Sequence, residues 1–140
     1  MTQERVIRGR KIVPGKASGR AMVSETPLCF RSEFDPASGK VIDSQHPLYD
    51  RNLSGRVLVM PSGTGSSGNT MHVRVAGLEG TAPAALVNLE ADPPSILGCV
   101  IARIPVIRVE AADLNSIRDG DWVEVDSDRG SVRIFENRRL

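Results

Sequence analysis

Short apolar runs separated by turn-forming residues characterise the sequence from residue 57 onward. Residues 57–60, 84–89 and 104–109 are too short for typical helices and have the composition of buried strands. Between these runs, two segments place apolar side chains three or four positions apart, as on one face of a helix. The predicted inward faces are Met71, Val75 and Leu78 in the first segment, and Ile96, Leu97, Val100 and Ile101 in the second. The pattern predicts a central β-α-β-α-β core.

Alternating apolar and polar positions predict further strands on both sides of this core. Residues 6–13 alternate, Pro14 and Gly15 signal a turn, and residues 17–24 form another strand, so we expect a hairpin that opens the domain. Residues 122–125 and 131–134 alternate around a short polar loop, which predicts a second hairpin. With 140 residues and 15.1 kDa, we expect one α/β layered domain spanning residues 1–140, with flanking hairpins around its core.

Composition and charge exclude several classes of function. The net charge is only +1, from 18 basic and 17 acidic residues, and aromatic residues make up 4% of the chain. A nucleic-acid-binding surface needs a basic field and aromatic stacking platforms, so we expect no nucleic-acid partner. The sequence has no apolar run of 18 residues and no leader-like pattern at its first residues. We therefore expect a cytoplasmic protein without a membrane partner.

Few residues are suited to binding a metal ion. Cys29 and Cys99 lie far apart and outside any C-x-x-C spacing, and both are predicted to be buried free thiols. His46 and His72 belong to no set of His, Asp or Glu residues with the spacing of a metal site. His46 is predicted to be a hydrogen-bonding loop residue rather than a general base. We expect no metal site within this chain alone.

The glycine-rich stretch at residues 61–70 is the strongest candidate for chemistry. It follows a predicted buried strand and precedes a predicted helix, so its backbone N–H groups can converge on a site for negative charge. Its glycines permit close backbone approach, and its hydroxyl groups supply donors. These hydroxyls belong to Ser62, Thr64, Ser66, Ser67 and Thr70. The alternative interpretation is a simple connecting loop, for which glycine and serine are also common.

Two phosphate-binding patterns can be tested on the same stretch. Gly63, Gly65 and Gly68 satisfy G-x-G-x-x-G between a strand and a helix, and Glu90 follows the next strand, as in a dinucleotide site. The segment of hairpin and loop that precedes this strand argues against that interpretation. A phosphate-binding P-loop is excluded, because Asn69 stands where a lysine is required. A non-catalytic anion- or dinucleotide-binding module remains an alternative.

The chain resembles the small subunit, or swivel domain, of the aconitase X family of hydro-lyases, from about residue 9 to residue 109. The resemblance rests on short motifs that occur in the family's order. They are Val23-Ser24-Glu25-Thr26-Pro27 with Phe30, Asp35-Pro36 with Gly39, His46-Pro47-Leu48, Gly63-Thr64-Gly65-Ser66, Ala82-Pro83-Ala84-Ala85, Glu90-Ala91-Asp92-Pro93 and Ile104-Pro105-Val106. Where many relatives have two glycines after the phenylalanine, this chain has Arg31, Ser32 and Glu33, and it adds Cys29.

The resemblance implies a swivelling β/β/α domain that closes over a catalytic large subunit. It implies dehydration of a small hydroxy acid, either cis-3-hydroxy-L-proline or mevalonate 5-phosphate. The general character of the sequence favours cis-3-hydroxy-L-proline. It also implies that an iron or iron-sulfur centre, where present, belongs to the large subunit. Ser66 matches the proposed proton acceptor. Gly63, Thr64, Gly65 and Ser67 are then expected to bind substrate or stabilise an oxyanion.

A serine hydroxyl can act as a base only where oriented donors stabilise its anion. We expect the N–H groups of Gly65, Ser66 and Ser67 to point at the Ser66 oxygen. For a phosphorylated substrate, Arg31 is a candidate cation, as are residues of the partner. In the alternative, non-catalytic interpretation Ser66 only caps the helix that follows.

Overall fold

The structure is a computed structural model that describes residues 4–136. Its strands are β1 (Glu4–Arg8), β2 (Arg10–Val13), β3 (Lys16–Val23), β4 (Phe34–Asp35), β5 (Lys40–Val41), β6 (Val57–Val59), β7 (Ala85–Asn88), β8 (Val106–Arg108), β9 (Trp122–Asp126) and β10 (Ser131–Phe135). Its helices are α1 (Phe30–Glu33), α2 (Asn69–Glu79), α3 (Pro93–Ala102) and α4 (Ala111–Asn115). The expectation of a single domain over residues 1–140 stays a prediction.

Eight strands form one sheet in the order β1-β10-β9-β3-β6-β7-β8-β2. Strands β3, β6, β7 and β8 run parallel to one another, while β1, β10, β9 and β3 are antiparallel neighbours. The two outermost strands, β1 and β2, are separated in the chain only by Gly9. Both ends of the sheet therefore meet at this residue, and the sheet curls round into a barrel-like shape. A Cβ atom at Gly9 would lie 2.5 Å from the carbonyl oxygen of Arg108, so the crossing leaves no room for a side chain.

Two apolar cores divide the molecule into layers. One core fills the inside of the curled sheet and includes Ile7, Val59, Val87 and Val132, with α4 contributing Leu114. The other lies between the parallel strands and the helices α1, α2 and α3. Strand residues alternate between the two cores, as the period of two requires: Leu58 and Leu86 face the helices, whereas their neighbours face the inside. This arrangement confirms the predicted α/β fold with a β-α-β-α-β centre and two β layers.

The two predicted hairpins have different outcomes. The second is confirmed, because β9 and β10 pair with Val123 opposite Ile134. The first is wrong, because β2 pairs with β8, and β3 pairs with β6 on one side and β9 on the other. Alternation identifies a strand but not its partner. Both edges of β3 are occupied by other strands, so β2 cannot pair with it.

The predicted inward faces of the two central helices are also wrong, except for Ile96, which is partly buried and packs against the core. Helix α2 buries Asn69, Val73 and Ala76, while Met71 and Leu78 are 54% and 73% exposed. Helix α3 buries Ser95, Gly98 and Cys99, while Leu97, Val100 and Ile101 are exposed. The cause is close packing between the two helices: a Cβ atom at Gly98 would lie 2.7 Å from the Cβ atom of Val73. Such contact selects small residues for the inner face rather than large apolar ones.

Among residues 4–136, no helix has both the length and the apolar character needed to cross a membrane. The weakly periodic segment 34–54 carries the short β4–β5 pair. Its turn is held by Asp35, whose Oδ2 accepts a hydrogen bond from the Ser38 hydroxyl at 2.8 Å. Gly39, with φ of 80°, closes the same turn. The segment packs around the buried Phe34 and Leu48 and lies beside α1.

Candidate active site

The glycine-rich stretch lies at the carboxyl end of β6, where it connects this strand to α2. Ligands of parallel sheets bind at this end of the strands. A side chain on Gly63 would overlap the Ser95 hydroxyl and approach the Asp92 carboxylate, so the stretch lies tightly against the start of α3. Gly65 has φ of 95°, which glycine adopts without strain. The predicted need for glycine at these two positions is thus explained by close packing at the first and backbone shape at the second.

Ser66 is half-buried at the head of α2. Its Oγ atom accepts a hydrogen bond from the Gly68 N–H at 3.0 Å. The expected donors were the N–H groups of Gly65, Ser66 and Ser67; the described donor is Gly68, because the chain forms a serine turn two residues long. The backbone of Ser66 itself contributes to lowering the pKa of the Cys29 thiol. The hydroxyl therefore has one fixed amide donor beside the positive end of a helix.

The remaining predicted residues lie in the same turn. The Thr64 N–H donates to the Leu28 carbonyl at 3.0 Å, which ties the stretch to the segment before α1. The Ser67 carbonyl accepts from the Thr70 N–H at 3.4 Å, as expected at the start of a helix. The side chains of Thr64 and Ser67 are exposed. The structure therefore brings Gly63, Thr64, Gly65, Ser66 and Ser67 together at one end of the sheet.

Asn69 connects this turn to two other segments, and it is 0% exposed. Its Oδ1 atom accepts from the Arg31 N–H at 3.0 Å and from the Cys29 thiol at 3.5 Å. Its Nδ2 atom donates to the Thr64 carbonyl at 2.9 Å and to the Ser95 hydroxyl at 3.3 Å. Sequence reasoning used Asn69 only to reject a P-loop. The sequence signal that could have revealed this connecting role is a polar residue at the first helical position after a glycine-rich turn.

Cys29 lies against this turn, and a Cβ atom at Gly65 would be 2.8 Å from its sulfur. Burial raises the pKa of the Cys29 thiol, but the Ser32 hydroxyl and the N–H groups of Ser32, Ser66 and Arg31 favour the thiolate, so the pKa is lowered overall. The prediction of a buried thiol is wrong for Cys29, which is partly exposed, and is confirmed for Cys99. The turn that carries Ser66 thus has a second polarised group beside it.

His46 is a loop residue with a structural role, as predicted. It is 4% exposed, and its Nδ1 atom accepts a hydrogen bond from the Leu48 N–H at 3.1 Å. The Nε2 atom lies 3.1 Å from the Pro27 carbonyl oxygen and donates its proton to it. These two bonds fix the orientation of the ring and connect the loop to the residues before α1.

A protein-family comparison identifies the chain. Residues 6–134 match the family model described as the aconitase X swivel domain. The chain belongs to this family. The match spans almost all of the described structure and extends beyond the motifs at residues 9–109 on which the resemblance rested. The predicted family is confirmed, and the chain is part of a hydro-lyase of the aconitase X type.

Three relatives show how close the similarity is. The phosphomevalonate dehydratase small subunit of Methanocella arvoryzae is 37% identical over 91% of this chain and 98% of its own length. The protein of the same name from Methanothermobacter thermautotrophicus is 39% identical over 89% of this chain and 95% of its own length. The crystal structure of Thermococcus kodakaraensis aconitase X in its holo-form superposes with a TM-score of 0.89 at 34% identity, covering 94% of this chain and 99% of that one.

The residues of this aconitase X swivel domain do not fit an iron centre of their own. Residues 4–136 contain no group of three or more His, Cys, Asp or Glu side chains placed to hold a metal ion. Cys99 is fully buried, and burial raises its pKa to about 12, so it does not supply a thiolate. Cys29 is a single thiol. Residues 4–136 therefore provide no ligand set for a metal ion.

The geometry also weighs against a dinucleotide at the three glycines. In a dinucleotide site, the first glycines let a pyrophosphate approach the backbone. Here the Asp92 carboxylate and the Ser95 hydroxyl occupy the space beside Gly63. The Asp92 Oδ2 atom is held there by the Ser95 hydroxyl at 2.6 Å. A carboxylate at this position would repel a pyrophosphate, and the glycine at position 63 is explained by packing of the loop against α3.

Proposed function

We propose that the chain is the small subunit of a phosphomevalonate dehydratase and that it works in a complex with a catalytic large subunit. Two archaeal relatives that carry this name align over nearly their entire length at 37% and 39% identity. These names support mevalonate 5-phosphate as the substrate. The sequence alone favoured cis-3-hydroxy-L-proline. That compound now becomes the alternative substrate to be tested.

The observation that carries the proposed chemistry is the hydrogen bond from the Gly68 N–H to the Ser66 Oγ atom. This N–H belongs to the N-cap of an 11-residue helix that has no acidic residue in its first turn. The dipole of the helix and the fixed N–H group both stabilise negative charge on the oxygen. We propose that Ser66 is the proton acceptor and that Gly63, Thr64, Gly65 and Ser67 form the turn that positions it against the substrate.

The proposed reaction removes a proton and a hydroxide from neighbouring carbons of the substrate. A proton leaves the carbon next to the substrate carboxylate and is taken by the Ser66 oxygen in its alkoxide form, which becomes a neutral hydroxyl. The electron pair of the broken C–H bond forms the carbon–carbon double bond, and hydroxide leaves from the neighbouring carbon with the C–O electron pair. The leaving hydroxide is received on the side of the cavity that the large subunit forms. Ser66 then returns its proton to solvent.

We further propose that any iron or iron-sulfur centre is held by the large subunit. The proposal is supported by the lack of a ligand set among residues 4–136. It follows that this chain alone is inactive, because neither the receiving group for hydroxide nor the second wall of the cavity is supplied by it. Iron analysis of the separated subunits tests this assignment, and iron bound to the small subunit alone would contradict it.

The substrate is tested with the complex purified together with its own large subunit. We expect the complex to dehydrate mevalonate 5-phosphate and not cis-3-hydroxy-L-proline, followed as loss of each substrate by mass spectrometry. Turnover of the proline compound alone would replace the proposed substrate but keep the enzyme class. Failure of the chain to associate with a large subunit would reject the proposed function.

The proton acceptor is tested with Ser66→Ala in the same complex. We expect kcat to fall by about 10²- to 10⁴-fold with the complex intact by gel filtration, since a positioned general base contributes that much. Ser44→Ala, a substitution at an exposed loop serine, serves as the matched control and should leave kcat unchanged. A kcat for Ser66→Ala within about threefold of the wild type would show that Ser66 only caps the turn.

A further inference from the structure

Helix α1 places one arginine beside the turn that carries Ser66. The helix is anchored by Phe30, which is 1% exposed and packs edge-to-face on Phe34 with ring centroids 5.6 Å apart. The next residue, Arg31, is exposed, and its N–H donates to the buried Oδ1 atom of Asn69 at 3.0 Å. Because Asn69 is the first residue of α2, this bond fixes the backbone of Arg31 relative to the head of that helix.

The side chain of Arg31 extends across Gly68. A Cβ atom at Gly68 would overlap the Arg31 Cδ atom and lie 2.8 Å from its Nε atom. Gly68 is also the residue whose N–H donates to the Ser66 oxygen. The arginine stem and the serine hydroxyl therefore contact the same residue. The absence of a side chain at Gly68 is what allows the guanidinium to approach the turn.

The guanidinium of Arg31 has no hydrogen-bond or ion-pair partner among residues 4–136. The neighbouring carboxylates are engaged elsewhere: Glu33 accepts from the Cys29 N–H at 2.7 Å, and Asp35 accepts from Ser38. Arg51, by contrast, pairs with Asp119 at 3.0 Å. Within residues 4–136 the exposed guanidinium groups of Arg8, Arg10, Arg103 and Arg118 also lack a partner, and Arg31 differs from them in lying beside the turn that carries Ser66. A cation held at the mouth of a site without a counter-ion is arranged to receive an anion from outside the chain.

We propose that Arg31 is a specificity-determining residue that binds the phosphate group of the substrate. The proposal rests on the proposed function. Mevalonate 5-phosphate has two anionic ends, and the carboxylate is next to the carbon that loses its proton, so it must lie close to Ser66. The phosphate is at the other end of the molecule and needs a cation farther along the same surface. Arg31 contacts Gly68, whose N–H donates to the Ser66 hydroxyl, and its planar group suits bidentate contact with phosphate.

The test uses steady-state kinetics of the complex with its large subunit. We expect Arg31→Gln to raise KM for mevalonate 5-phosphate by about 10- to 100-fold with kcat within about threefold, since hydrogen bonds to charged groups carry this much binding. Arg31→Lys should recover part of the loss, because it keeps the charge but not the fork. Inorganic phosphate should inhibit the wild type competitively and inhibit Arg31→Gln at least tenfold more weakly.

Two further variants make the test specific. Gly68→Ala keeps every charge but displaces the arginine stem, so KM should rise while the backbone, with φ of −65° at this residue, accepts alanine. Arg74→Gln is the matched control, because Arg74 is exposed on the outer face of α2 and contacts only the sulfur of Met71, at 3.9 Å. Its KM and phosphate inhibition should equal those of the wild type.

The outcomes separate this inference from the proposed function. If the wild type dehydrates mevalonate 5-phosphate and Arg31→Gln leaves KM unchanged, the role of Arg31 is refuted and the proposed function stands. If Arg31→Gln weakens association with the large subunit and leaves KM unchanged in the saturated complex, the arginine binds a partner carboxylate instead, which also refutes it. If the wild type does not act on mevalonate 5-phosphate, both the proposed substrate and the role of Arg31 are refuted.

Discussion

The antiparallel and parallel halves of the curled sheet differ in how their polar side chains are paired. In the antiparallel half, a surface cavity of about 500 Å³ is lined by charged side chains, three of which form ion pairs with one another. Asp126 lies 3.6 Å from Lys16 and 3.8 Å from Arg129. In the parallel half, the polar groups at the carboxyl ends of the strands are buried and connect three segments through Asn69, and they leave Arg31 without a counter-ion.

This difference shows that the size of a cavity is a poor guide to the chemistry of a subunit. The cavity of about 500 Å³ belongs to the half in which Asp126 pairs with two cations. The half with the candidate chemistry has fixed hydrogen-bond donors at the edge of the sheet, and we propose that the large subunit completes a cavity there.

The largest effect is expected at the asparagine that connects the three segments. Asn69→Leu removes hydrogen bonds to the Arg31 N–H and the Thr64 carbonyl, which are part-buried, and to the buried Ser95 hydroxyl. We expect the free energy of unfolding to fall by about 2–4 kcal/mol, measured by urea denaturation, because each orphaned buried group costs about 1–3 kcal/mol. We also expect kcat of the complex to fall at least tenfold.

Asn88 is the matched control for this prediction. It is 2% exposed at the end of β7, and its amide atoms have no hydrogen-bond partner within the described part of the chain. Replacing such a group by an apolar one of similar size is nearly neutral or stabilising. Asn88→Leu should therefore leave the unfolding free energy equal or higher. Equal losses of unfolding free energy in Asn69→Leu and Asn88→Leu would contradict the connecting role of Asn69.

The next effect is expected from Gly65→Ala in the turn itself. Alanine is strained at φ of 95°, and its Cβ atom would lie 2.8 Å from the Cys29 sulfur. Strain of about 1–3 kcal/mol will move Ser66, so we expect kcat to fall about tenfold or more while the fold stays intact by circular dichroism. Adding Cys29→Ala should relieve the contact but not the backbone strain, so the double variant should recover only part of the activity.

A smaller, pH-dependent effect is expected at the two thiols. A lowered pKa populates the Cys29 thiolate at a lower pH than an ordinary thiol with its value of 9.0. We expect iodoacetamide to modify Cys29 with a half-maximal rate below pH 9, measured by peptide mass spectrometry, and Cys99 to stay unmodified because burial raises its pKa to about 12. A Cys29 rate that rises only above pH 9 would show that the neighbouring N–H groups do not act on the thiol.

The smallest effect is expected in the antiparallel half. Asp126→Asn weakens two ion pairs on the surface with Lys16 and Arg129. The two cations are exposed although the Asp126 side chain is only 19% exposed, and surface pairs contribute about 0–1 kcal/mol. We therefore expect a change of about 1 kcal/mol or less in unfolding free energy and no change in kcat. A loss of turnover in Asp126→Asn would place chemistry in this half and overturn the comparison.

Sequence reasoning recovered the parts of the fold that depend on local pattern. The apolar runs that form β6, β7 and β8 are each too short for a helix, and the glycine-rich turn between β6 and α2 follows from composition. The pairing of β2 with β8 was missed, because period-two alternation does not encode a partner. The inner faces of α2 and α3 were missed for another reason, since large apolar residues such as Leu97 are on the outside and Gly98 is inside.

The sequence predicted the segment that carries the candidate site but not the hydrogen bonds that connect this segment to others. Ser66 and the glycines are contiguous in sequence, so a single stretch reveals them. Asn69, Arg31 and Ser95 come from three separate segments, and only the folded chain shows that one buried amide joins them. The donor to the Ser66 oxygen was also misplaced, because a turn two residues long is a property of backbone geometry and not of composition.

The closure of the sheet at Gly9 has a consequence for synthesis on the ribosome. The first strand pairs with the last one, with Glu4 opposite Phe135, so its hydrogen-bonding partner does not exist until nearly the whole domain has been translated. During elongation, β1 and Ile7, which it contributes to the inner core, remain without their partners, and folding is completed by a contact of very long sequence separation. We expect the nascent chain to be prone to association through this unpaired strand until β10 has been made.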